Sequence, residues 1–364
     1  MNVALVGLPL SGKTCLFGAL APGAVDAEAH PARADHPNRA TVAVPDPRLD
    51  WLHAHYRTPK AVPVQMEWLD LPGLVPGRSD LAAQNTAVLE HLRRADALVY
   101  VLRAFESDRV PLSGRPAERV DPRAEFETLA AELLLADLAV VERRIERLQA
   151  QLAKPLPDRD AMRRELAFLE RCRAALEAEQ PLQTVPETEA EHKILRNFAA
   201  LTLKPALAVL NVDERDAGRP DEVAARFADL PVPVVAVCAS LEAEIRALAP
   251  EDQPTYLAEM GLDRLHAPDL PRRVHEALGR ITFYTTGEKE VAARSLPRGT
   301  PAVEAAASVH TDMARGFIRA EVVSFDDLVA AGDIKAAKAQ GRVRLEGRDY
   351  AVQDGDIVFF HFSR

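Results

Sequence analysis

The chain opens on a short apolar run, Val3-Ala4-Leu5-Val6, that passes directly into Gly7-Leu8-Pro9-Leu10-Ser11-Gly12-Lys13-Thr14. That is a complete P-loop, and it constrains the fold strongly, because such a loop works only between a buried strand and the N-terminus of a helix. The glycines let backbone N–H groups close around phosphate oxygens, Lys13 reaches the terminal phosphates, and the Thr14 hydroxyl is a ligand for Mg²⁺. Leu10, Ser11, Gly12, Lys13, Thr14 and Cys15 are therefore the expected phosphate-binding segment, with Lys13 also the expected catalytic cation.

A nucleotide fold of this kind needs an acidic residue at the end of a neighbouring strand. Val64-Gln65-Met66-Glu67-Trp68-Leu69-Asp70, followed by Leu71-Pro72-Gly73, supplies it as a D-x-x-G segment. Asp70 is expected to hold Mg²⁺ through water, and the Gly73 backbone N–H is placed to sense a γ-phosphate, which gives Gly73 a catalytic role. The next residue is Leu74, where Ras-like GTPases carry the glutamine that orients the attacking water. Two further Val- and Leu-rich runs, 97–102 and 205–210, read as buried parallel strands. The second ends in Asn211-Val212-Asp213-Glu214, the place where guanine-specific proteins carry N-K-x-D. Val212 replaces the lysine, and Glu214 lengthens the carboxylate that would accept from guanine, so the guanine-selecting contact is weakened without an adenine-selecting one being created. A last strand, 232–237, leads into Cys238-Ala239-Ser240, the short loop expected to back the base.

The 364 residues leave room for two or three domains, and the apolar content of 48% is that of a globular chain. The N-terminal apolar run stops at Val6, too short for a signal peptide, and no apolar stretch is long enough for a bilayer, so a cytoplasmic location without a membrane partner is expected. Cys15, Cys172 and Cys238 lack C-x-x-C spacing, which argues against a zinc site or a disulfide framework. The net charge of −10 opposes general nucleic-acid binding by the whole surface, and no specific DNA partner is expected. One segment reverses that balance. Leu138, Val141, Ile145, Leu148 and Leu152 alternate spacings of three and four as a coiled-coil seam, Lys154-Pro155-Leu156-Pro157-Asp158 interrupts it, and Met162, Leu166 and Leu169 restart it. The pattern predicts an antiparallel helical hairpin, and from Arg143 to Arg173 it carries nine basic against five acidic residues. Either a solvated helix face or an RNA-facing arm fits that count.

These residues resemble the Obg-like ATPases of the YchF type, among the translation-factor-related P-loop GTPases. The likeness spans nearly the whole chain. It includes the P-loop, Val44-Pro45-Asp46-Pro47-Arg48-Leu49-Asp50, Asp70 to Leu74, Ala136-Asp137-Leu138, Asn211 to Glu214 and Leu241-Glu242-Ala243-Glu244-Ile245. In the C-terminal third, Thr282 to Val291, His310-Thr311-Asp312, Gly316 to Val322 and Val352 to Asp356 look like the family's TGS domain, which implies a ubiquitin-like β-grasp module. The resemblance further implies ATP preferred over GTP, slow hydrolysis, and association with ribosomes or translation. The expected fold is α/β: a G-domain-like, doubly wound P-loop NTPase sheet from residues 1–124 and 191–280, an inserted antiparallel coiled-coil arm over 125–190, and the β-grasp domain over 281–364.

Departures from the family pattern fall on switch elements. The family's switch threonine aligns with Ala34, and the histidine proposed to aid hydrolysis aligns with Pro111. The glycine-rich stretch beyond Asp70 is replaced by Arg78 to Asn85, and Leu10-Ser11 and Thr14 stand where the family has Asn-Val and Ser. Two readings follow: a slow Mg²⁺-dependent NTPase using ATP or GTP, and a nucleotide-binding docking module that hardly hydrolyses. A small-molecule kinase fits the P-loop alone and leaves the Asn211 segment and the C-terminal module unexplained.

Overall fold

The computed structural model describes residues 1–24, 36–107, 119–154, 159–180 and 182–363. Ala34 and Pro111 lie outside the described residues. The chain divides into two compact units, one comprising Met1–Ala40 with Glu67–Ala267 and the other Thr41–Met66 with Pro268–Arg364.

The first unit is built on a six-stranded sheet of order β2-β4-β1-β5-β6-β7. Its strands are β1 (Asn2–Val6), β2 (Asn38–Ala43), β4 (Gln65–Asp70), β5 (Ala97–Ala104), β6 (Ala206–Val212) and β7 (Val234–Val237). From β4 to β7 all neighbours are parallel, with Leu5 opposite Asp70, Val6 opposite Tyr100, and Asn211 opposite both Arg103 and Val237. Parallel strands need crossovers, and α1 (Lys13–Leu20), α3 (Ala82–Arg94), α4 (Pro122–Leu152) and α7 (Pro220–Ala225) lie in the connections. One consequence decides the site: the P-loop, Asp70 and Asn211 all sit at the carboxyl ends of adjacent strands. The core on one sheet face runs from Ala4, Val6 and Leu69 through Leu98, Leu102 and Leu210 to Phe126, Leu129 and Leu133 of α4.

Helix α4 is a single 31-residue rod, opened by Asp121, whose carboxylate caps the Arg123 and Ala124 amides, and by Pro122 at the first turn. Its first half belongs to the sheet core. Its second half joins α5 (Arg159–Glu177) in a separate core in which Val141, Ile145 and Leu148 pack against Phe168, Leu169, Cys172 and Leu176. Leu138, Met162 and Leu166 lie at the margin of that core. Arg144 makes a bidentate bond to Glu165 at 2.8 and 2.9 Å, joining the two helices as an antiparallel hairpin. The interrupting prolines, Pro155 and Pro157, fall outside the described residues. Helix α6 (Glu189–Phe198), with a Thr188–Glu191 capping box, returns the chain to the sheet.

In the second unit a sheet of order β11-β10-β12-β8-β9-β3 is formed by β3 (Lys60–Val62), β8 (Arg280–Thr286), β9 (Glu290–Pro297), β10 (Phe317–Ser324), β11 (Arg344–Glu346) and β12 (Asp356–Phe362). The β8–β9 pair is antiparallel, β12 runs parallel to β8, and Ala302, Ala305 and Ala306 of the helix Ala302–Val309 pack on Ile281, Phe283 and Phe317, a β-grasp arrangement. Sequence patterning kept residues 41–66 with the nucleotide unit. Compactness groups them with the C-terminal residues instead, for a physical reason: β3 extends this sheet alongside β9, Tyr284 donates to the Asp46 carboxylate, and Arg48 bonds Asp354 at 2.7 Å. No helix of the described residues is long and apolar enough to cross a membrane.

Candidate nucleotide site

The loop between β1 and α1 folds tightly because two of its residues take positive φ. Gly12 has φ 92°, and Leu10 has φ 60°, a left-handed conformation that costs a branched residue about 1–2 kcal/mol. Neighbouring groups enforce the shape. A Cβ on Gly12 would stand 2.0 Å from Asn211 Nδ2, and one on Gly73 would stand 2.4 Å from the Pro9 nitrogen, so only glycine allows these approaches. The Leu74 amide donates to the Gly7 carbonyl at 3.1 Å, which pins the segment after Asp70 to the loop.

Lys13 is buried and its ammonium donates to the Gly7 and Leu8 carbonyls at 3.3 and 3.0 Å, holding the cation against the loop. Opposite, Thr14 Oγ1 and Asn38 Nδ2 donate to Asp70 Oδ2 at 2.9 and 3.1 Å. Asp70 is fully buried, and among the described residues its other oxygen, Oδ1, makes no hydrogen bond. Burial raises this carboxyl above the ordinary range, against the opposing Asn38 and Thr14 hydrogen bonds and the charge of Lys13. An acceptor-rich carboxylate with one unpaired oxygen beside a threonine hydroxyl fits a hard divalent cation whose remaining ligands are phosphate oxygens and water. Cys15 is exposed at the cavity, and partial desolvation by the packed loop together with the nearby Asp70 carboxylate pushes its thiol up.

Beyond the loop, Asn211 joins three elements. Its amide donates to the Ser11 carbonyl at 3.0 Å and accepts from the Ala239 amide at 3.1 Å, so the end of β6 ties the P-loop to the 238–240 loop. A cavity of about 670 Å³ opens here, lined by Leu10, Gly12, Cys15, Asn211, Val212, Glu214 and Ser240 among others. Cys238 and Ala239 are buried beside it. Lys13, Thr14, Asp70 and Gly73 cluster at the loop and do not line this cavity, so the two groups of residues occupy two ends of one site. The cavity also takes Phe105, Glu106 and Ser107 from the segment after β5. Sequence reading passed over these three, and over Asn38. The available signal was topological: residues just past the carboxyl end of a central parallel strand face the ligand crevice.

Two family profiles match the chain: one described as "50S ribosome-binding GTPase" over residues 2–141, and the YchF GTPase C-terminal family, described as "Protein of unknown function (DUF933)", over 280–363. The ribosome-binding ATPase YchF of Bacillus subtilis (strain 168) is 38% identical over 100% of this chain and 99% of its own length. The chain belongs to the YchF family of Obg-like ATPases. Obg-like ATPase 1 of Oryza sativa subsp. japonica is 33% identical over 100% of this chain and 92% of its own. The solved structure of the Schizosaccharomyces pombe YchF GTPase superimposes with a TM-score of 0.82 at 27% identity, covering 99% of this chain and 97% of that one. The family relationship spans the full length of the chain and carries the P-loop NTPase fold, and with it nucleotide binding, in the first unit.

Proposed function

We propose that this YchF-family chain is a slow, Mg²⁺-dependent purine nucleoside triphosphatase that prefers ATP and docks on ribosomes. The observation that carries the reading is the cluster at the loop mouth, where the fully buried Asp70 has Oδ1 unpaired among the described residues while Thr14 occupies Oδ2. Thr14 and Asp70 would hold Mg²⁺, which supplies charge neutralisation for the β- and γ-phosphates. Lys13 leaves the Gly7 and Leu8 carbonyls to pair with the terminal phosphates, and the loop amides, turned inward by Leu10 and Gly12, accept the charge that builds during transfer. The Gly73 amide, held beside Pro9, senses whether a γ-phosphate is present.

Preference for ATP rests on Val212 and Glu214, which replace the guanine-selecting lysine and aspartate, and on the names of the relatives, which are ATPases. Ribosome docking rests on the name of the Bacillus subtilis relative, a ribosome-binding ATPase, and on the basic arm. Leu74 supports a second reading, a docking module with little turnover: it is 1% exposed, an apolar side chain in the core where a water-orienting glutamine would stand. Titrating ATP and GTP with Mg²⁺ and following phosphate release separates the two. Tighter ATP binding with slow release, reduced at least about 100-fold in Lys13→Ala, supports the enzyme. Binding without release supports the module, and tighter GTP binding overturns the base-site argument.

A further inference from the structure

Along the buried stripe of α4, Leu133 is the last fully buried residue of the sheet core and Val141 the first fully buried residue of the arm core. The residue midway, one turn from each, is Asp137, which is 2% exposed. A buried carboxylate at a position that helical spacing assigns to an apolar residue calls for a set of donors, and Asp137 has four. Oδ1 accepts from Arg93 at 2.8 Å and from the Leu201 amide at 3.0 Å, and Oδ2 accepts from the Thr202 amide and hydroxyl, both at 2.9 Å. Arg93 in turn donates to the Ala136 carbonyl at 3.0 Å and the Ala199 carbonyl at 3.3 Å. One guanidinium thus grips the helix that enters the arm and the segment that leaves it.

Arg93 is in the last turn of α3, and the start of α3 is fastened to the phosphate end of the site. Asn85 accepts from the Val75 amide at 3.2 Å and donates to the Val75 carbonyl at 2.9 Å, while Leu74 is bonded to Gly7. Helix α3 spans 13 residues, a rigid element about 20 Å long. The circuit closes, because residues 199–202 lead into β6, whose Asn211 bonds the Ser11 carbonyl. We propose that Asn85, α3 and the Arg93–Asp137 latch form the linkage by which the phosphate occupancy of the loop sets the position of the arm. Movement of residues 73–75 on γ-phosphate binding is carried by Asn85 to α3, and Arg93 applies it at the point where α4 passes from one core to the other. This deepens the proposed function and rests on it.

The test uses the full chain, with ADP and with the non-hydrolysable analogue adenylyl imidodiphosphate, each with Mg²⁺, and reads backbone hydrogen exchange. In the wild type the analogue should change exchange at residues 73–94 and also at 136–145 and 199–203. Arg93→Lys keeps the charge and loses the planar fork, so it should keep analogue affinity and the change at 73–90 while the difference between the two nucleotides at 136–145 and 199–203 falls roughly tenfold. Asn85→Ala, which cuts the linkage at its other end and leaves Asp137 fully bonded, should give the same loss and carries the test if Arg93→Lys does not fold. An arm response that is unchanged in both variants, or a wild type that responds at 73–94 but not at the arm, overturns the latch alone. A wild type that binds neither nucleotide overturns the latch together with the proposed function.

Discussion

At the scale of single residues, the chain places its buried charges where backbone donors wait for them. Glu242 on the helix Ala239–Ala247 is 3% exposed and accepts from the His266 and Ala267 amides at 2.9 and 2.7 Å, anchoring the chain just before the second unit begins. Burial pushes its carboxyl up to about 7 from 4.5, with the two amides and Arg246 opposing. Between those values the folded state holds a proton that the unfolded state has lost. Stability from this group is therefore complete below pH 4.5 and is lost as pH rises through 7, by an amount on the order of 3 kcal/mol. Glu242→Gln keeps the acceptor and removes the titration, so its melting temperature should fall less than that of the wild type between pH 5 and pH 8. Equal slopes in the two proteins would contradict the assignment.

At the scale of elements, the arm was legible because its chemistry is periodic. Val141, Ile145 and Leu148 follow heptad spacing and are buried together, a local rule that needs no knowledge of the rest of the chain. Its charge was legible as a count and not as a surface, since only the packed hairpin shows which arginines are spent. Arg144, Arg163, Arg171 and Arg173 are committed to Glu165, Asp160, Glu187 with Glu191, and Glu177. Arg147 and Arg164 are exposed, and among the described residues no ion pair is recorded for either. Arg143 and Arg159 are exposed as well but bond the Ala139 and Leu152 carbonyls, so if the arm faces ribosomal RNA, Arg147 and Arg164 contribute to the contact. Arg147→Glu with Arg164→Glu should lower co-sedimentation with ribosomes roughly tenfold and reduce the salt slope by about two, with nucleotide affinity unchanged. Unchanged sedimentation would leave the arm's charge as a solvated face.

At the scale of the whole molecule, the chain crosses between compact units at 40–41, 66–67 and 267–268. Within the second unit the 41–66 segment is held by polar bonds as well as by β3. The Asp46 carboxylate caps the helix Pro47–Tyr56 through the Arg48 amide at 3.0 Å, accepts from the Arg48 guanidinium, and accepts the Tyr284 hydroxyl. Burial and Asp46 together raise the Tyr284 phenol well above its ordinary value, so it stays a donor at every physiological pH. Tyr284→Phe removes a hydrogen bond to a charged acceptor and should cost about 2 kcal/mol, read as a lower melting temperature and faster proteolysis within residues 41–66. Proteolysis at the wild-type rate would show that β3 and the Arg48–Asp354 pair hold the segment without the Tyr284 bond.

Short-range pattern was enough for the P-loop, the D-x-x-G segment, the arm and the buried strands, because a phosphate loop, a heptad and an apolar run are each specified within a dozen neighbouring residues. Pattern also reached Asn211 and the 238–240 loop, through the resemblance of their motifs. It missed what depends on residues far apart in the chain. Asn38 completes the Asp70 cluster from 32 residues away, and Phe105, Glu106 and Ser107 enter the cavity because β5 ends beside β6. Asp137 shows the difference most sharply: as sequence it is one more motif residue in a helix. Only folding brings it within reach of Arg93, 44 positions before it, and of Thr202, 65 after it, since a buried carboxylate acquires its meaning from donors that no local spacing encodes.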